Sequence, residues 1–302
     1  MYKLRALLYS YPWMMAPVFI GSGIIYAFAL RGPGRPGSLF LYAFAWAACA
    51  FACGRLLKVS FDWPRLSRLR RSDYSDVWNA LSPTAKSGAR AAAGLSTERD
   101  LRTSGEEVAF RIAHAVSLQP TEDVLEIGCG VGRVGWAMAP RCRTWTGCDI
   151  SGNMISHTRR RLAKLANVRL VHLRRCDLDQ IEEASVDVVY CTNALIHMDQ
   201  RERFQYVLDA YRILRPQGRL YIDTIALDSR QGWHMVENNL AQAKAGLKSP
   251  PYIPTASTPD ELVAYFAKAC FAETRYEICD SLLAVVGVKT KAFSENGFHG
   301  LQ

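Results

Sequence analysis

The chain opens on two long apolar runs and then changes character. Ala6 to Leu30 holds no charged residue, and Leu39 to Leu57 is interrupted only by Arg55 near its end. As helices rising about 1.5 Å per residue, both are long enough to cross or nearly cross a hydrocarbon core of roughly 30 Å. The turn-forming stretch "RGPGRPGS" lies between them. Beyond residue 120 the apolar residues fall into short runs: "VLEI" (124–127), "TWTGCD" (144–149), "VRLVHL" (168–173), "VDVVYC" (186–191) and "GRLYIDT" (218–224). Runs of this length and composition suit buried strands. Helical spacing separates them, over Arg133 to Ala139, from Ser151 onward, and over Asp199 to Leu214. A further helix is expected from Ser104 to Val116, opened by "SGEE", with Val108, Ile112 and Ala115–Val116 on its apolar face.

Strands alternating with helices predict an α/β fold, a doubly wound and mostly parallel sheet with helices on both faces. Ligands of such sheets bind beyond the carboxyl ends of the strands. The organisation expected is a two-helix membrane anchor over 1–60, a basic linker and lead-in over 61–103, the α/β domain over 104–290 and a tail over 291–302.

Charge sharpens the reading of the first segment. The chain of 302 residues carries a formal net charge of +9, but the excess is local. Residues 1–71 hold ten basic side chains and one acidic, and residues 72–302 hold 27 of each. A formally neutral domain without a basic or stacking patch argues against nucleic acid as a partner. Positive charge beside apolar runs points to a membrane surface. Basic residues are densest from Arg55 to Arg71, Lys3 and Arg5 flank the first run, and the connecting loop has only Arg31 and Arg35. This distribution favours a two-helix hairpin with both ends, and the α/β domain, on the cytoplasmic side of the cell membrane. Two other readings stand beside it: a cleaved leader ending at "AFA" (27–29), for which the apolar core is too long, and a pair of helices lying in the interface or covering an apolar surface of the α/β domain. The nine cysteines form no CxxC pair and no zinc-spaced cluster, so they read as small core residues and no metal is expected.

The densest chemistry lies in "EDVLEIGCGVGRVGW" (122–136). Gly128, Gly130 and Gly132 let the backbone turn tightly and approach a ligand, and the helix behind them presents free N–H groups. This is G-x-G-x-G, since Arg133 stands where a dinucleotide loop has its third glycine. Asp149 ends the next strand about 20 residues on, where an acid can accept hydrogen bonds from ribose hydroxyls. It can equally cap the helix near Ser151. Asp177, after the third strand, is placed to accept from a purine amine.

From Val124 to Thr224 the chain resembles class I S-adenosylmethionine-dependent methyltransferases. "VLEIGCGVGR", the acid of "CDIS", "RCDL" and "VDVVYCTNALIHM" fall in that family's order and spacing. "STPDELVAYFAKACF" (257–271) resembles its late helix, and "ICDSLLAVVGVK" its closing antiparallel strand pair. The resemblance covers about 120–290 and implies a seven-stranded Rossmann-like sheet with S-adenosyl-L-methionine as cofactor. It implies that Glu126, Gly128, Cys129, Gly130, Gly132 and Arg133 surround the methionine end, that Asp149 and Ile150 hold the ribose, that Asp177 holds the adenine with Cys176 and Leu178 flanking the ring, and that Asn193 and Ala194 line the methyl side.

Methyl transfer needs alignment of nucleophile, carbon and sulfur in a water-poor site. A hydroxyl or amine acceptor would also lose a proton. His197 is the candidate base, and the blander alternative has it shaping the substrate pocket. His157 and Arg159–Arg161 fall on a helix expected to face solvent. The segment 225–256, with Trp233 and Tyr252, is expected to wall the acceptor pocket. The anchor makes a lipid or other hydrophobic small molecule at the cytoplasmic membrane face the expected acceptor. The alternatives are a soluble acceptor, with the enzyme held among other membrane-bound biosynthetic enzymes, a protein acceptor on the tails of membrane proteins, and a non-catalytic membrane scaffold.

Overall fold

The computed structural model describes residues 73–95, 97–245, 252 and 254–290. The expected hairpin over 1–60 and the tail over 291–302 lie outside the described residues. Among the described residues no helix is long and apolar enough to cross a membrane. The elements below belong to one compact unit, Leu69–Ala243 with Ser249–Gln302, save for the final residue of the helix ending at Lys244.

Seven strands form one sheet: β1 (Asp123–Ile127), β2 (Thr144–Asp149), β3 (Val168–His172), β4 (Val186–Cys191), β5 (Leu214–Ile225), β6 (Ala272–Cys279) and β7 (Leu282–Val288). Their spatial order is β3-β2-β1-β4-β5-β7-β6. The first five pair in parallel, and β7 runs antiparallel to both β5 and β6. The sheet is thus mixed, as the resemblance implies. The order reverses between β1 and β4, so the loops after these two strands open a crevice at the carboxyl edge. β5 starts four residues earlier than its apolar run: Leu214 already pairs with Val186, and the "PQG" turn sits inside the strand with Gln217 at φ +67°.

The period of two along each strand separates the two faces. Leu125 and Ile127 of β1, Val189 and Cys191 of β4, and Leu220 and Ile222 of β5 join one core, with residues from α6 (Gln200–Ile213) and α8 (Pro259–Lys268). Val124, Val188, Tyr190 and Tyr221 join the other, under α3 (Glu98–Ala115) and α4 (Arg133–Met138). Glu126 shares the second face.

Before β1, residues expected to be linker form helices α1 (Tyr74–Leu81) and α2 (Ala85–Ala93), and α3 starts at Glu98 rather than Ser104. The cap is Thr97, whose hydroxyl accepts from Asp100 N–H at 3.1 Å. Ser104 serves another purpose: its carbonyl and hydroxyl oxygens accept from the Arg133 guanidinium at 3.1 and 2.7 Å. Gly105 allows the close crossing of α3 over α4, since a Cβ there would stand 2.3 Å from the Arg133 carbonyl oxygen.

Trp145 of β2 is fully buried on the second face, and two glycines make room for its indole. A Cβ on Gly135 or Gly147 would come within 2.3 Å of ring carbons. Gly135 lies inside α4, where alanine is favoured by up to about 1 kcal/mol. Overpacking a fixed buried ring costs about 1–3 kcal/mol or more. The clash wins, and Gly135→Ala is expected to lower stability by about 1–2 kcal/mol in urea denaturation.

Candidate functional site

One cavity lies at the reversal point of the sheet. Its floor is the loop after β1, from Gly128 to Val131, with Glu126 below it and Asp149 and Ile150 beside it. Thr192, Asn193 and Ala194 follow from β4, and His197 and Met198 complete that side. The loop is glycine-rich for geometric reasons. Gly128, Gly130 and Gly132 all have positive φ, at +72°, +56° and +76°. At Gly128 a Cβ would also stand 2.6 Å from that of Ala194.

Asp149 organises this floor. Its Oδ2 accepts from Gly130 N–H at 2.9 Å and its Oδ1 from Ser151 N–H at 2.8 Å. The helix-cap role therefore falls to Ser151, whose hydroxyl accepts from Met154 N–H at the start of α5 (Gly152–Arg161). Burial raises the Asp149 carboxyl to about 6, against the backbone N–H groups that favour its charge.

Glu126 is buried, and desolvation pushes its carboxyl up to about 8. Tyr190 O–H donates to its Oε2 at 2.7 Å, and Trp145 Nε1–H donates to the Tyr190 oxygen at 2.9 Å. The tryptophan thereby fixes which way the phenol proton points. Oε1 receives no hydrogen bond among the described residues. A buried carboxylate on the cavity wall with an oxygen to spare suits a cationic group. Arg133 also lines the cavity, but its guanidinium bonds to Ser104.

Asp223 of β5 holds the opposite rim. It is fully buried and accepts from Asn193 N–H at 3.1 Å and Thr192 O–H at 2.8 Å, and Arg111 approaches to 3.5 Å. Burial raises its carboxyl above the usual range. Asn193 sits at φ +56°, a conformation asparagine tolerates better than most residues, and the Asp223 contact locks it there.

Of the residues singled out in the sequence, Glu126, Gly128, Cys129, Gly130, Arg133, Asp149, Ile150, Asn193, Ala194 and His197 converge on this cavity. Gly132, Asp177 and Leu178 do not line it. Gly132 donates its N–H to Cys129 O and opens α4. Leu178 is in the core, its N–H bound to Asp209 Oδ2 at 3.0 Å. Asp177 pairs with Arg175 at 3.3 Å on an outer depression beside the cavity, and Cys176 borders both spaces.

The remaining wall comes from residues expected to be linker. Tyr74 and Trp78 of α1 and Ala92 and Ala93 of α2 close the cavity there. Tyr74, Val77, Trp78 and Leu81 have helical spacing, a signal present in the sequence but masked by the basic run before it. Asn79 Oδ1 accepts from Ser151 O–H at 2.8 Å, and His157 Nε2 meets Ser82 O at 2.9 Å. His157 is consequently buried rather than solvent-facing, and Arg161 reaches Val131 O at 2.8 Å. His197 is buried against Trp78, ring centroids 4.9 Å apart, and its Nδ1 meets Tyr252 O at 2.8 Å. Among the described residues of the segment 225–256 none lines the cavity: Tyr252 touches His197 there, and Trp233 is 55 % exposed. Among the described residues no group of His, Cys, Asp or Glu could hold a metal ion.

Residues 124–218 match the family model of a methyltransferase domain. A probable S-adenosylmethionine-dependent methyltransferase of Mycolicibacterium smegmatis is 32 % identical over 150 residues, 49 % of this chain and 55 % of the relative. Malonyl-[acyl-carrier protein] O-methyltransferase of Enterobacter lignolyticus is 29 % identical over 153 residues, 45 % of this chain and 58 % of the relative. The chain spans only about half the length of these curated relatives. The crystal structure of magnesium protoporphyrin IX methyltransferase from Synechocystis PCC 6803, with bound SAH, superposes at a TM-score of 0.53 with 17 % identity. That match covers 72 % of this chain and 97 % of the other, and it shows a shared fold. Residues 124–218 thus match a methyltransferase-domain model, and the described domain shares a Rossmann-like α/β fold with that structure.

Proposed function

We propose that this protein is a membrane-anchored methyltransferase acting on a lipid or other hydrophobic small molecule at the cytoplasmic face. The domain is that of an S-adenosylmethionine-dependent enzyme, and its cofactor is S-adenosylmethionine. The observation that carries the catalytic part is the meeting of the glycine floor, Glu126 and Asp149 in one cavity. When bound, the cofactor supplies a sulfonium methyl with a neutral, good leaving group.

The chain's own residues then have separable tasks. Glu126 holds a cationic amine, and the backbone of Gly128 and Gly130 lets the ligand lie flat on the floor. Asp149 accepts from hydroxyls while keeping the floor in shape. Tyr74, Trp78, His197 and Tyr206 supply an aromatic end that excludes water. His197 is the group best placed to take a proton from an acceptor. Its Nδ1 side faces the Tyr252 carbonyl, which favours a proton on Nδ1.

The membrane part of the reading rests on the apolar runs 6–30 and 39–57 and the basic excess beside them. A tether raises the effective concentration of acceptors resident in the bilayer. The test uses membranes containing the full chain and cofactor labelled on its methyl group. Label is expected in extracted lipid and absent with Asp149→Ala. Label confined to the aqueous phase or to protein would replace the lipid acceptor by a soluble one or by a protein.

A further inference from the structure

Helix α7 (Arg230–Lys244) follows the carboxyl end of β5, the sheet edge at which the cavity lies. Its apolar residues are on the wrong side for a helix bathed in water. Trp233, Val236 and Leu240 are exposed at 55, 38 and 52 %. At about 100° per residue they share an arc of roughly 60°. The less exposed line of the same helix is Gly232, Met235, Asn239 and Gln242, two of them amides. A surface helix normally turns its apolar stripe to the protein and its amides to solvent.

We propose that α7 is an in-plane membrane contact, laying Trp233, Val236 and Leu240 against the apolar boundary of an anionic bilayer surface. This inference rests on the membrane reading above. Three observations select a bilayer as the occupant. Along the helix the charged residues are Arg230 and Lys244 against Glu237 alone, a basic balance that complements anionic lipid. Tryptophan is favoured at the headgroup level, where an apolar ring meets a polar boundary. The helix has 15 residues, too short to cross a hydrocarbon core, so lying flat is the arrangement open to it. The consequence for activity is orientation: the contact turns the carboxyl edge of the sheet, and with it the cavity, toward the lipid from which an acceptor would come.

The test uses the full chain and its Trp233→Phe variant, reconstituted in vesicles of phosphatidylcholine with a minor fraction of phosphatidylglycerol. The difference in emission between the two proteins isolates Trp233. Lipid brominated near the headgroup is expected to quench that difference at least about twofold, while aqueous iodide leaves it unchanged. Quenching by iodide and not by bromolipid would place the helix in water and overturn the inference. Protection from both quenchers would overturn it too, in favour of a protein partner or a second copy. Flotation with the vesicles is measured first. A chain that does not float removes the membrane reading and this inference together, whereas a floating chain with iodide-accessible Trp233 removes the inference alone.

Discussion

Asp149→Ala is expected to weaken S-adenosylmethionine binding by at least about a hundredfold in calorimetric titration, with the protein still folded. The carboxylate does two things that alanine cannot. It accepts from Gly130 N–H and Ser151 N–H, which fixes the loop and the start of α5, and it offers its remaining lone pairs to the ligand. Each hydrogen bond to a charged group contributes about 1.5–3 kcal/mol, and two such losses exceed two decades of affinity. Asp149→Asn is expected to be nearly as severe. Both oxygens already face backbone donors, so an amide nitrogen in either place would confront an N–H. The pH dependence has a definite sign. Burial raises this carboxyl to about 6, so it takes up a proton as the pH falls through that value. Cofactor affinity should drop below about pH 6 in the wild type, and this inflection should be missing in the alanine variant.

Glu126→Gln is expected to make the protein more stable and a poorer cofactor binder. The wild-type carboxyl is raised from 4.5 to about 8 by burial, so the folded state holds its proton more tightly than the unfolded state. The stability this proton provides is complete below about pH 4.5 and is lost as the pH rises through 8. At pH 8 and above the wild type must bury a charge that glutamine never carries. The variant's advantage should therefore be absent near pH 4 and grow to about 5 kcal/mol by pH 9, because each tenfold difference in proton affinity between the two states is worth roughly 1.4 kcal/mol. Thermal melts of both proteins across that range read it directly. Glutamine can still accept from Tyr190, so the Trp145–Tyr190 pair should persist. Affinity for a cationic ligand should fall by about 2–4 kcal/mol, because a buried partner charge is gone. In the wild type the ligand's arrival should release a proton near neutral pH, seen as buffer-dependent binding heat, and the variant should release none.

The centre of the sheet was legible because β1 and β4 are buried almost throughout and so read as plain apolar runs. β2 and β4 match their runs residue for residue. The glycine floor and Asp149 were legible for a different reason, since positive φ and an acid at a strand tip restrict residue choice locally. Three things were hidden. The helices over 74–93 follow a basic stretch, and their apolar faces find their use in a cavity built from distant parts of the chain. "SGEE" has the form of a capping sequence, yet Ser104 and Gly105 are spent on the crossing of α3 and α4. Asp177 and Leu178 have the expected spacing, but the Asp209 carboxylate takes the Leu178 N–H and draws that residue into the core. Spacing along a chain cannot show which remote acceptor will claim a backbone donor.

The cavity is assembled from five separate stretches: α1 and α2, the end of β1 with its loop, the tip of β2, the end of β3 with Cys176, and the rim from Thr192 to Tyr206. No single stretch offers more than a fraction of the contacts. A ligand that needs all five binds the native topology and ignores the unfolded chain. By mass action, cofactor at a hundred times its dissociation constant would then stabilise the fold by about 2.7 kcal/mol. A ligand bound in this way would also act as a chaperone for newly made protein, so that the lifetime of the chain in a cell would follow the supply of that ligand.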